Sequence, residues 1–222
     1  MSIKAMGEIT LKNVNGQRYI CDGIKEDIKI TIEDVPGNDL GAFMDGPRIT
    51  VYGNVQDGCG NTMSNGEIII HGRAGDIAGY AMQGGKIFIR DDAGYRLGIH
   101  MKEYKDKKPL IIVGGTVGDF LGEYMAGGVI LILNLEERFY EANFIGTGMH
   151  AGIMYLRGKI KEYQLAKEVR IARLTNSDKS LSRKYIREFA GQFDLNPLHL
   201  PEQEFTKLVP FSSRPYGRIY AY

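Results

Sequence analysis

The side chains best suited to chemistry are four histidines, two cysteines and a recurring aspartate. His71, His100, His150 and His199 show neither H-E-x-x-H nor H-x-H spacing, so no pair of imidazoles is set up by the local chain to hold a metal. Cys21 and Cys59 are too few for a four-thiolate iron–sulfur cluster. They form no C-x-x-C, so a zinc ribbon or a redox dithiol is not indicated, and both read as buried free thiols. Asp57, Asp76 and Asp119 close the similar segments GNVQD, GRAGD and GTVGD, where a carboxylate serves to cap a turn. The runs GTGMHAG (146–152) and VGGTVGDFLG (113–122) look superficially like dinucleotide loops. Each opens a strand rather than a helix, which leaves no helix N-terminus to receive a pyrophosphate. G-x-S-x-G and a P-loop lysine are absent, and the chain starts Met1-Ser2, without a cysteine that processing would expose as an amidotransferase nucleophile. The expectation is that this chain contributes no catalytic, cofactor-binding or metal-binding residue.

The elements that carry these residues repeat. Met44, Met63, Met82, Met101, Met125 and Met149 each have a glycine three residues upstream: Gly41, Gly60, Gly79, Gly98, Gly122 and Gly146. The first three steps between methionines are 19 residues and the last two are 24. The longer steps contain the polar insertions KEYKDKK (102–108) and EERFYEAN (136–143), read as loops bulging from a regular coil; the lysine-rich first one is a solvated loop. A short apolar strand follows each methionine, as in EIIIHG (67–72) and VILIL (129–133). A 19-residue period is too short for a strand–helix–strand crossover. It fits one turn of a parallel β-helix, whose coils pair edge to edge at about 4.8 Å, so six coils stack to about 29 Å. The 29 glycines, against a usual content near 7%, suit the tight corners of such a coil. The fold class is therefore all-β, a parallel solenoid of about six to seven coils with a C-terminal helical extension.

Strand alternation then sorts the columns. Ile49, Ile68, Ile87, Ile130 and Met154 share one column; Val51, Ile70, Ile89, Ile132 and Leu156 share another; both are uniformly aliphatic and face the interior. The methionines are a core ladder, since a thioether fills corner space well. The intervening column, Thr50, Ile69, Phe88, Leu131 and Tyr155, points outward and is largely apolar. An outward apolar stripe is a candidate partner contact, or it is covered by the chain's own tail.

Residues 1–40 contain the strand-like GEITLKNV and EDIKITIEDV and are expected to cap the regular coils at 41–158. Residues 159–222 form the extension. KIKEYQLAKEVRIARL has helical composition, and SLSRKYIREFAGQ places Leu181, Tyr185 and Phe189 on one helical face with Gly191 as its stop. Residues 193–222, with Pro197, Pro201, Pro210 and Pro215, are expected to be irregular, ending in Tyr216, Ile219, Tyr220 and Tyr222 as a docking tail or a wrap. The formal net charge is +1, which leaves no strong field for nucleic acid or anionic lipid. No apolar run is long enough to span a bilayer and the N-terminus lacks a signal-peptide core, so a cytoplasmic location is expected.

The run from DGCGNTMSNGEIIIHGRAGD through GYRLGIHM, continued by GGTVGDFLGEYMAGGVILIL and FIGTGMHAGIMYLRG, resembles the C-terminal GXGXG domain of the glutamate synthase large subunit over residues 41–158. That resemblance implies a right-handed parallel β-helix without catalytic residues of its own. It implies separate partner chains: a glutaminase-type amidotransferase, and a synthase subunit with FMN and an iron–sulfur cluster, which aminate 2-oxoglutarate. A structural subunit of formylmethanofuran dehydrogenase has similar coils and is the alternative. Self-association through the outward stripe is compatible with both.

Overall fold

The computed structural model describes residues 7–197 and 205–212; His199, Pro201, Pro215, Met1-Ser2 and the terminal Tyr216, Ile219, Tyr220 and Tyr222 lie outside them. Eight strands stack in parallel: β1 (Gly7–Asn15), β2 (Ile28–Val35), β3 (Asp45–Tyr52), β4 (Asn65–Ile70), β5 (Lys86–Ile89), β6 (Leu110–Val113), β7 (Ala126–Ile132) and β8 (Ala151–Arg157). Each pairs with its successor, as a parallel solenoid requires. The aliphatic ladder runs Ile30, Ile49, Ile68, Ile87, Ile111, Ile130, Met154, every member buried. Ile111 fills the rung that a fixed count from Met101 misses, because the insertion at 102–108 falls between that methionine and its strand. β1 and β2 are in register with the later coils, so the stack begins at residue 7 within a single ten-stranded sheet.

The Gly-x-x-Met signature has a packing cause. All six methionines are fully buried. A methyl group built on Gly60 would stand 2.6 Å from Ile87 Cδ1 of the next coil, and one on Gly85 would stand 2.5 Å from the Cε of Met63 in the preceding coil. The upstream glycine makes room for the next strand's aliphatic side chain, and the downstream glycine makes room for the previous methionine. Each corner also alternates its backbone hand. Positive φ recurs five, three and one residues before the methionine, as at Ile77, Gly79 and Ala81, or Phe120, Gly122 and Tyr124. The amides of the first and third of these donate to the next coil (Ile77 to Tyr95 O, 2.8 Å; Ala81 to Ile99 O, 2.8 Å), while the glycine amide donates back (Gly79 to Cys59 O, 2.7 Å). The first five corners are thereby stapled in both directions, which satisfies backbone groups that no regular strand pairs.

The C-terminal extension departs from the sequence expectation in three places. Residues 159–174 are not helical: they hold a short 3-10 turn at Glu162–Gln164 and the strand β9 (Val169–Ala172). Gln164 is buried and donates to Tyr140 O and Ala142 O, both at 2.8 Å, which holds the segment against the last coil instead of letting it wind. The helix α1 spans Asn176–Gln192, opened by Thr175, whose hydroxyl accepts from Asp178 N while Asp178 accepts from Thr175 N. It buries Asp178, Ser182, Ile186, Phe189 and Ala190, a face rotated from Leu181/Tyr185/Phe189, and it continues through Gly191. Finally, the 193–222 region is not wholly irregular. The strand β10 (Phe205–Pro210) inserts antiparallel between β8 and β9, where Leu208 completes the core.

Candidate partner-binding surface

The outward column assembles as the alternation requires, but it is not free surface. Thr50, Ile69, Phe88, Leu131 and Tyr155 stand in register on β3, β4, β5, β7 and β8, with Ile112 supplying the missing rung on β6. Thr50 is half-buried; Ile69, Phe88, Leu131 and Tyr155 are buried against Ile186, Phe189, Phe193 and Phe205. Of the two occupants open to this stripe, the chain's own α1 and β10 are the ones in place. This corrects its reading as a partner contact: lone coils leave an apolar outer wall, and a helix with an apolar face buries it at lower entropic cost when both belong to one chain.

A polar clamp fixes that cover. Tyr155 donates to Asp178 Oδ1 at 2.6 Å, and Lys207 Nζ of β10 lies 2.8 and 2.9 Å from the two Asp178 oxygens. Burial alone would raise the Asp178 carboxyl, but hydrogen bonds from Lys207, Thr175 and Tyr155 outweigh it and hold the carboxyl well below the usual carboxylate range. Burial, and then the bond to Asp178, push the Tyr155 phenol up. At the far end of the helix, Arg48 donates to Gln192 at 2.5 Å and Lys86 pairs with Glu188 at 2.8 Å.

The remaining chemical candidates serve the fold. The aspartates hold neighbouring coils: Asp57 Oδ1 accepts from Asp76 N, Asp76 Oδ1 from Tyr95 N, and Asp119 Oδ1 from Asn143 N, at 2.7–2.8 Å. Capping is the role expected from the sequence; the capped amide belongs to the next coil. Asp92, absent from that expectation, does the same for Thr116 N at 2.8 Å and pairs with Arg138. Its only sequence signal is the 24-residue step to Thr116 across the first insertion. Cys59 belongs to a core ladder with Leu40, Ala78, Leu97, Leu121 and Ile145, and burial, with Asp39 second, pushes its thiol up to about 12. Half-buried Cys21 is pushed up to about 11 by burial. His71 stacks on Tyr52 at 4.5 Å beneath the edge of Phe193, and His100 stacks on Tyr124 at 5.1 Å. His150 Nδ1 is 3.2 Å from Gly148 O. Among the described residues, no three or more His, Cys, Asp or Glu side chains are grouped to hold a metal ion.

A cluster of exposed aromatic residues lies on the corner and the second insertion. The Arg96 guanidinium sits 4.9 Å over the Phe120 ring, which stacks on Phe144 at 4.9 Å. Tyr80 meets His100 edge-on at 5.9 Å, extending a second aromatic column to Tyr124. Beside them the loop at 136–143 projects Phe139, 92% exposed, over an open cleft of about 600 Å³ lined by Tyr95, Asp119, Arg138 and Asn143. The loop is anchored from beneath by Tyr140, which donates to Arg157 O at 2.9 Å, and by Arg138 on Asp92. A fully solvated aromatic on an anchored loop, next to a stacked aromatic ladder, has the composition of a protein contact. In sequence Arg96, Phe120 and Phe144 look like ordinary corner positions, since it is the left-handed backbone imposed there that turns their side chains outward. Among the described residues no helix is long and apolar enough to cross a membrane.

A family model described as the GXGXG motif matches residues 4–209, well beyond the 41–158 over which the motifs are plain by eye. An uncharacterised protein of Methanocaldococcus jannaschii is 53% identical over 222 residues, covering 96% of this chain and 85% of the relative.

Proposed function

Because the chain belongs to the GXGXG motif family, the family of the glutamate synthase C-terminal domain, we propose that it is a structural subunit of a glutamate synthase-type assembly. The family match across nearly the whole chain carries this reading. The arrangement of the side chains agrees with it, since His71 and His100 are stacked on tyrosines, Cys59 is packed in the core, and Asp57, Asp76 and Asp119 cap the next coil. In this reading a glutaminase-type subunit releases ammonia, and a separate flavin- and iron–sulfur-containing subunit uses it to aminate 2-oxoglutarate in the cytoplasm. The solenoid is the rigid body against which the two are set. Its contacts are the corner ladder of Tyr80, Arg96, Phe120 and Phe144 and the loop carrying Phe139, in place of the covered stripe.

Affinity capture of the chain at native expression, with mass spectrometry of what accompanies it, tests the proposal. Recovery of a glutaminase-like and a flavin-containing chain is expected, with loss of at least one on Phe139→Ser. Recovery of molybdenum- or tungsten-containing partners would instead support the formylmethanofuran dehydrogenase reading, and recovery of the chain alone would refute both.

A further inference from the structure

The two ends of the stack are finished differently. At the C-terminal end, β10 and β9 continue the sheet, and Ile160, Val169 and Leu208 close the core. At the other end β1 is the edge strand among the described residues: it pairs there with β2 on one side, and its burial is slight along most of its length. Ile9 is 48% exposed there, and Leu11, Ile20, Ile24 and Ile28 are only half-buried, so the core opens at this face. An edge strand over an open core is a template for another strand.

We propose that this edge is the interface of a symmetric dimer, β1 pairing antiparallel with β1 of a second copy in the register that sets Thr10 opposite Thr10. Three observations select that occupant and that register. The first is backbone direction. Along the stack, the outward-facing residues aim their amides at the preceding coil, as His71 N does to Val51 O at 2.9 Å and Arg90 N to Ile70 O at 3.0 Å. By register, Glu8 and Thr10 are the corresponding residues of β1, and Lys12, one residue past the last regular pair at Leu11 and 3.3 Å from Glu33 of β2, follows them by alternation; among the described residues none of the three has a preceding coil. The second is charge. Antiparallel pairing about Thr10 puts Glu8 opposite Lys12 of the second copy, and the two-fold axis repeats the pair. Registers shifted by two residues set Glu8 or Lys12 against Thr10 and lose both pairs. The third is the apolar face. The same register sets Ile9 opposite Leu11 twice on the interior side, so the open core of one copy abuts that of the other. The straight part of β1 runs through Leu11, so Thr10 and the Ile9–Leu11 pairs lie within it and Lys12 stands at the start of the register shift.

Sedimentation equilibrium of the full chain with charge-swapped variants tests this. The parent is expected at twice the chain mass. Glu8→Lys, which sets lysine against lysine at both pairs, is expected to weaken the dimer roughly tenfold or more, and Lys12→Glu likewise. An equimolar mixture of the two variants is expected to regain the dimer, because each then offers what the other lacks; circular dichroism verifies that each folds. Thr10→Pro removes an edge amide that no ladder among the described residues uses, so it is expected to abolish the dimer and keep the fold. A monomeric parent overturns the proposal, including one whose Glu8, Thr10 and Lys12 amides resist hydrogen exchange, since that edge would be closed within the chain. A dimer indifferent to both Glu8→Lys and Thr10→Pro overturns it as well.

Discussion

Replacing Asp178 with alanine removes one carboxylate that serves three elements at once. Lys207, whose side chain is only 14% exposed, loses both Asp178 oxygens, at 2.8 and 2.9 Å, and stays in place as an uncompensated charge. Breaking a buried pair in that way costs about 3–5 kcal/mol. The helix also loses its reciprocal cap with Thr175, about 1 kcal/mol, and the buried Tyr155 hydroxyl loses its acceptor, about 1–3 kcal/mol. These share one network and do not add in full, so about 4–6 kcal/mol is expected in total. Tyr155→Phe removes only a donor and leaves Asp178 with Lys207 and Thr175, so about 1 kcal/mol is expected. Solenoid coils are stabilised mainly by their neighbours, so the loss should appear first as α1 leaving the wall while the coils persist. Guanidinium titration followed by circular dichroism and by binding of an environment-sensitive dye measures both events. Asp178→Ala should show an early step with dye binding as Ile69, Phe88 and Leu131 become exposed. An Asp178→Ala variant within about 1 kcal/mol of the parent, or a Tyr155→Phe variant equally destabilised, would refute the clamp. The same carboxyl sets a pH dependence. Its folded pKa is depressed, so the stability it contributes is complete above the unfolded value near 3.9 and declines as pH falls below about 4, a decline the Asp178→Ala variant should lack.

Gly98→Ala, at φ +70° with its new methyl 2.6 Å from Ile130 Cδ1, should cost about 2–4 kcal/mol from left-handed strain and overpacking. Ile130→Val in the same chain should recover part of that cost in thermal melts; no recovery would mean the strand is not what the glycine accommodates. Cys59, buried with its thiol pushed up to about 12, should not react with a disulfide reagent at pH 8 until denaturant is added, and rapid native labelling would contradict its place in the core ladder.

The coil was legible because its period and its packing have the same cause. Gly60 and Gly85 must be glycine for Ile87 and Met63 to fit, so the signature is a record of contacts between coils. The column at Ile69, Phe88, Leu131 and Tyr155 was likewise legible as outward and apolar, since alternation decides it locally. What covers the column depends on long-range packing. β9 and β10 are short and Pro210 and Pro201 suggest irregularity, so only their fit between β8 and the end of the core reveals them as strands. The residues 159–174 carry lysine, glutamate and leucine in helical proportion, yet Gln164 bonding to Tyr140 and Ala142 outweighs that preference. The corner surface was hidden for another reason: the left-handed φ of Arg96, Phe120 and Phe144 is imposed by the stack on residues that do not favour it.

That alternation of hand has an electrical consequence. At the first five corners the first and third left-handed amides point up the stack, while the glycine amide and the amide just after the methionine point down, as Gln83 N does to Met63 O at 2.8 Å, so the peptide dipoles oppose one another along the axis. An α-helix of comparable length would add its dipoles and present about half a unit charge at either end. This solenoid largely cancels them, coil by coil, so its backbone contributes little axial field at either end. With a formal net charge of +1, whatever orients a partner during approach must come from local side chains such as Arg96, Arg138 and the lysines at 102–108, and the association rate should depend on those residues far more than on the total charge of the protein.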